Sequence, residues 1–299
     1  MSRMTKQMTL AALGLAVAAP VFAQGDWAAV DKALGRSGAS QAGGVYKYSF
    51  PRGDLDVTVA GVRVRPALAL GTWVAFKKTT DGKALAMGDL VLSPDELPTV
   101  MSRLQQGGVE QMAVHNHLSG ETPHVVYVHI MGKGDAAAIG QTIHDALSTT
   151  KTPLAPPPSV TPLRLDLDTM AVASALGFAG KGSGGVYQVS VPRPEVIREN
   201  GEEIPPSMGV ATAINFQPTS AGRAVATGDF VLLPGEVNPV IRALRANGIA
   251  VTALHSHLLM DQPHVLFMHF WGDDDAAKLA RGLRAALEAT AMSPSRSGK

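Results

Sequence analysis

The chain has 299 residues, 45% hydrophobic and 17% charged, with 26 Lys+Arg against 25 Asp+Glu and no cysteine. That length and composition suit a globular protein with room for two cores. The missing cysteines exclude disulfides, thiolate nucleophiles and cysteine-ligated metal sites, and a formal net charge of +1 lacks the basic excess of a nucleic-acid binder.

Read in chain order, Arg3 and Lys6 form a short basic region, Met8 to Val17 is apolar, and Val21-Phe22-Ala23 places small residues before a cleavage point. This predicts a signal peptide over residues 1–23 and hence export to the periplasm or outside the cell. The apolar run falls short of the roughly 20 residues of a membrane span. Its removal takes away two positive charges, leaving +1 − 2 = −1. Lipid anchoring is excluded, because it needs a cysteine at the cleavage point.

Trp27 to Leu34 then reads as an amphipathic helix ended at Gly35. Val45 to Phe50, Leu55 to Val64 and Thr72 to Lys77 alternate as strands do. Asp89, after Gly88, reads as a turn residue at a strand start. Ser93-Pro94-Asp95-Glu96 is a capping box that starts a helix to about Gln106, stopped by Gly107-Gly108. Val109 to Leu118 is a strand, Glu121-Thr122-Pro123 a hairpin loop, His124 to His129 the returning strand, and Asp135 to Ser148 a closing helix.

The chain then repeats itself. The block from Gly43 to Arg52 returns as Gly184 to Arg193, an offset of 184 − 43 = 141, and Gly88-Asp89-Leu90-Val91-Leu92 returns as Gly228-Asp229-Phe230-Val231-Leu232, an offset of 228 − 88 = 140. A duplicated domain of about 130 residues has too long a period for a solenoid. Residues 24–150 and 161–292 are the two copies, 151–160 a proline-rich linker, and 293–299 a disordered tail. The expected class is α+β: two tandem copies of a mixed, mostly antiparallel sheet flanked by helices and related by a pseudo-twofold.

Eight of the nine histidines recur at matched positions: His115 with His255, His117 with His257, His124 with His264, and His129 with His269. In a strand, i and i+2 share a face, so each His-x-His presents two imidazoles side by side. An acid four residues on, Glu121 or Asp261, and a further imidazole would complete a set suited to zinc or copper. His129 and His269 are preferred for that place. His124 and His264, at loop exits, and Asn116, within the His-x-His, read as outer partners. The predicted ligand sets are therefore His115, His117, Glu121 and His129 in one copy, and His255, His257, Asp261 and His269 in the other. Met112, Met131 and Met260 are compatible with copper, although methionine more often fills gaps. His115-Asn116-His117 spells the letters of the HNH nucleases but lacks their basic surroundings, and the second copy has Ser256 in place of the asparagine.

The repeated blocks, notably Gly228 to Leu232 with Asn238-Pro239-Val240, Val251 to His257, and Phe267-Met268-His269-Phe270-Trp271-Gly272, resemble the LppY/LpqO family, a bacterial domain of unknown function that often occurs in two copies. The resemblance covers both halves. It implies that His115, Asn116, His117, Glu121 and His129, and His255, His257, Asp261 and His269, match the family motif, whereas His124 and His264 stand where relatives carry arginine. It implies no activity. The functional expectation is an exported envelope protein that binds a metal ion or small ligand, with a metal-dependent hydrolase and a non-enzymatic envelope-binding module with structural histidines as alternatives; no nucleic acid and no membrane span are expected.

Overall fold

The computed structural model describes residues 27–156 and 163–292. The expected signal peptide, the tail and most of the later half of the linker lie outside the described residues. In the first copy the elements are α1 (Ala28–Leu34), β1 (Ala39–Gln41), β2 (Val45–Pro51), β3 (Thr58–Val59), β4 (Val62–Arg63), α2 (Pro66–Ala69), β5 (Gly71–Lys78), β6 (Ala84–Leu92), α3 (Leu97–Gln106), β7 (Glu110–His115), β8 (Glu121–Thr122), β9 (Val126–Gly134) and α4 (Ala136–Leu147). The second copy repeats them as α5 (Thr169–Leu176), β10 (Lys181–Ser183), β11 (Val186–Pro192), β12 (Arg198–Glu199), β13 (Glu202–Glu203), a 3-10 turn in place of α2, β14 (Ala211–Ser220), β15 (Arg223–Leu232), α6 (Val237–Ala246), β16 (Ala250–His255), β17 (Asp261–Gln262), β18 (Leu266–Asp275) and α7 (Ala276–Leu287).

Each copy builds one six-stranded sheet, in the orders β1-β2-β5-β6-β9-β7 and β10-β11-β14-β15-β18-β16. Every pairing within both sheets is antiparallel. Three helices of each copy cover the outer face. On that face Tyr48, Phe50, Phe76, Leu90 and Ile130 pack against Leu34, Leu104 and Ile143 in the first copy, and Phe216, Phe230 and Phe270 pack against Leu176, Leu244 and Leu283 in the second. The inner faces pack on each other: Val45, Met87, Met112 and Met131 share one apolar cluster with Val231, Val265 and Phe267. The result is four layers, helix, sheet, sheet, helix. A middle strand is then covered on both sides, which is why all nine residues of β6 are buried and why its sequence shows no alternation.

Each copy also reaches across to the other. From the first, the Arg65 amide donates to Gln217 Oε1 at 2.9 Å and the Arg65 guanidinium donates to Gly185 O, while the Gln188 side chain of the second copy donates back to Ala67 O at 2.8 Å. From the second, Ser207 donates to Ala42 O at 3.0 Å, and Glu202 pairs with Lys133 at 2.7 Å.

Three local expectations are corrected. Leu55 to Val64 is not one strand: β3 and β4 make a two-residue hairpin turned at Ala60 and Gly61, both at positive φ. It pairs with β8 to make a small separate sheet, a tertiary contact that local alternation does not reveal. The Ser93 hydroxyl does not cap α3; instead Glu96 Oε2 accepts from the Ser93 amide at 2.9 Å. Glu236 does the same to the Leu233 amide at 2.7 Å, so a leucine serves at the cap as well as a serine. Asp89 and Asp229 are mid-strand residues, not turn residues, because β6 and β15 begin several residues earlier.

Candidate metal centre

The site lies where the inner faces of the two sheets meet, beside the edge strands β7 and β16. His115 ends β7, and His117 stands just past its end. On the neighbouring strand β9, Tyr127 is opposite His115, and His129 is opposite Ala113 on one side and Asp89 on the other. Residues 127 and 129 share a face of β9, so Tyr127, His129, Asp89 and His115 all point inward. His124 precedes β9 in the loop. The second copy repeats the register with Phe267, His269, Asp229 and His255.

The copies interleave their imidazoles. His115 stacks on His255 with ring centroids 3.5 Å apart. His117 lies between Tyr127 at 3.5 Å and His269 at 3.9 Å. His257 lies between Phe267 at 3.6 Å and His129 at 3.6 Å. Each of these three stacks mixes both halves, so the two expected sites are one composite cluster. The loop carrying His117 is tied to β16: the Thr252 hydroxyl donates to His117 O at 2.6 Å, and the Asn116 amide donates to Leu118 O at 2.7 Å and Thr252 O at 3.3 Å.

The ring nitrogens are set for ligation. His115 Nδ1 faces Asn116 O at 3.1 Å, His255 Nδ1 faces Ser256 O at 3.3 Å, and His269 Nδ1 faces Gly228 O at 3.0 Å. A carbonyl only accepts, so these Nδ1 atoms carry the proton and leave the Nε2 lone pair free. The Nε2 atoms of His115, His117, His129, His255, His257 and His269 are all buried with no hydrogen-bond partner, as are Oδ1 of Asp89 and of Asp229. One donor atom each from His115, His117 and His129 falls within 4.8 Å of the others, and the same holds for His115, His255, His257 and His269.

Burial holds all six imidazoles below their ordinary pKa, reinforced by neighbouring rings at every one except His255; His115 and His255 fall to about 4. They are neutral at pH 7, the state a metal ligand needs. Burial also pushes the Asp89 carboxyl up to about 8, an effect that Lys47 partly offsets. It drives Asp229 well above the carboxylate range, with Asp89 adding to the shift.

The sequence-predicted acids are elsewhere. Glu121 lies on the small three-stranded sheet and bonds His124 Nδ1 at 2.5 Å; Asp261 bonds His264 Nδ1 at 2.9 Å and accepts from the Val265 amide at 2.6 Å. Neither belongs to the groups of converging donors. The aspartates that do face the imidazoles are Asp89 and Asp229, the two that local sequence places in turns. Their signal was available: an acid inside an apolar run, at matched positions in both copies, is costly to bury without a partner. Met112 and Met131 are packed in the apolar layer between the sheets, and Met260 is exposed, so none is gathered with the imidazoles.

Residues 28–149 and 170–289 match the family described as a Domain of Unknown Function (DUF1259). The chain belongs to the DUF1259 family. It carries two tandem DUF1259 domains, and the imidazole cluster forms where they meet. No curated protein matches it. A trimeric bacterial microcompartment shell protein, PduB, is similar at 14% identity over 85% of this chain and 89% of its own, with a TM-score of 0.22, too low to carry any argument. Among the described residues, no helix is long and apolar enough to cross a membrane.

Proposed function

We propose that the protein is an exported, periplasmic or secreted, metal-binding component of the cell envelope, and that the composite histidine cluster holds a transition metal, zinc or copper. The observation that carries this is the gathering of six buried, unpartnered Nε2 atoms, three of which, on His115, His255 and His269, are left with a free lone pair by the proton on Nδ1. Burying so many acceptors without a donor costs about 1–3 kcal/mol apiece, and a cation removes that cost. Imidazole nitrogen suits both metals. Export is supported by the basic, apolar and small-residue pattern of residues 1–23. The resemblance to the LppY/LpqO family adds no activity. The test is elemental analysis of the untagged mature chain: transition metal should be present and should be lost on His115→Ala with His117→Ala. Native protein without metal, whose thermal stability added zinc or copper leaves unchanged, would sink the reading.

One observation favours a second reading, a metal-dependent hydrolase. His115 and His255 are only partly buried, which leaves the cluster a route to solvent and an ion a position for water. Chelator-sensitive turnover of esters, phosphates or cell-wall fragments would distinguish it from a binding protein.

A further inference from the structure

Two atoms beside the histidines are left unexplained by an all-imidazole site. Asp89 Oδ1 and Asp229 Oδ1 are buried without a hydrogen-bond partner, and both side chains turn toward the imidazoles. Asp89 Oδ2 is 3.8 Å from His117 Nε2, Asp89 Oδ1 is 3.8 Å from His129 Nε2, and Asp229 Oδ2 is 4.0 Å from His257 Nε2. These separations are too long for hydrogen bonds. They lie a few tenths of an ångström outside the spacing of donors that share an ion, since two ligand atoms about 2.0–2.2 Å from one metal in tetrahedral geometry lie about 3.3–3.6 Å from each other, a gap that a small turn of the side chains closes.

Resting on the metal-binding reading, we propose that Asp89 and Asp229 are metal ligands and that the cluster is a paired centre: one divalent ion on His115, His117, His129 and Asp89, a second on His255, His257, His269 and Asp229. The pairing follows the pseudo-twofold. The register sets each aspartate directly across from a histidine of its own copy, Asp89 from His129 and Asp229 from His269, and the His115–His255 stack holds the two sets side by side. Each set offers three imidazoles and one carboxylate, a tetrahedral complement for zinc or cobalt. The two carboxylates also offset half of the four positive charges that two divalent ions bring into a buried place.

Cobalt(II) and zinc(II) titrations of the metal-free mature chain test this. Two ions should bind per chain. Asp89→Asn and Asp229→Asn should each weaken one of them about tenfold or more and leave the other unchanged, the scale on which metal-site substitutions act. The Co(II) visible spectrum should change with each variant. X-ray absorption of the zinc-loaded native chain should count about three imidazoles and one oxygen per ion, a readout that needs no variant to fold. One ion per native chain, an all-nitrogen shell, or unchanged affinity and spectrum in both variants would overturn the inference. A native chain that binds neither ion overturns the metal reading itself, a different result.

Discussion

Arg52 shows how a single residue braces each half. Its guanidinium is fully buried and bonded to Asp54 at 2.8 Å, Glu96 at 2.9 Å and Val91 O at 2.5 Å. Arg193 repeats this with Glu195, Glu236 and Val231 O. Burial by itself would push the Glu96 carboxyl up. Hydrogen bonds from the Lys151 amide, Arg52 and the Ser93 amide, with the Arg52 charge, outweigh it and hold Glu96 below its ordinary value of 4.5. A depressed carboxyl contributes stability that is present above the ordinary value and lost as pH falls through the folded one. Glu96→Gln should therefore cost about 1–3 kcal/mol at pH 7, and the gap from wild type should narrow below pH 4.5. Urea unfolding at pH 7 and pH 3.5 measures it; a gap independent of pH would refute the electrostatic account. At this scale the sequence was partly legible: Ser93 to Glu96 marked the helix start, yet the buried arginine that answers Glu96 is 44 residues away.

At the scale of elements, the crossing of β6 with β5 and β15 with β14 decides where the aspartates stand. A Cβ on Gly228 would lie 1.9 Å from Ala213 O, and one on Gly88 would lie 2.8 Å from Trp73 O. These glycines let the neighbouring strand approach, and the residue after each is the inward aspartate. Gly228→Ala should destabilise the chain by about 3 kcal/mol, with Gly88→Ala costing less, because the carbonyl at 1.9 Å has to move much farther than the one at 2.8 Å, and the next atoms around Gly228 are also backbone, whereas those around Gly88 belong to the Ile130 side chain. Chemical denaturation of both variants checks the order; equal stabilities would show that the strands slide apart freely. The helices at 27–34 and 169–176 were readable from spacing and terminal glycine, since caps are local. The hairpin at residues 58–63 and the buried β6 were not, because their surroundings come from distant chain.

For the whole molecule, the inner faces of the sheets are largely apolar outside the imidazole cluster and are covered by each other. Val57, Leu68, Val91 and Tyr127 cluster with Val186 and Val225 of the second copy. The halves should thus be interdependent. Segments 24–156 and 163–292 produced as separate chains should associate one to one and bind metal as the intact chain does, whereas either half alone should self-associate through its open face. Light scattering after gel filtration would show it; two stable monomers that ignore each other would contradict the sandwich.

By itself the sequence determined the duplication, the glycine stops of the helices, the α+β class and which histidines recur, because these rest on spacing and on contacts a few residues long. It also predicted an N-terminal export segment, which lies outside the described residues. Only the tertiary structure decided that six imidazoles of two copies interleave, that Asp89 and Asp229 join them, and that Glu121 and Asp261 turn to His124 and His264 instead. Parity along a strand tells which face a side chain takes, but which face meets which across two packed sheets depends on residues about 140 positions apart. The zero count of cysteines leaves imidazole and carboxylate as the groups that could ligate a metal, and folding decides which carboxylates face the imidazoles.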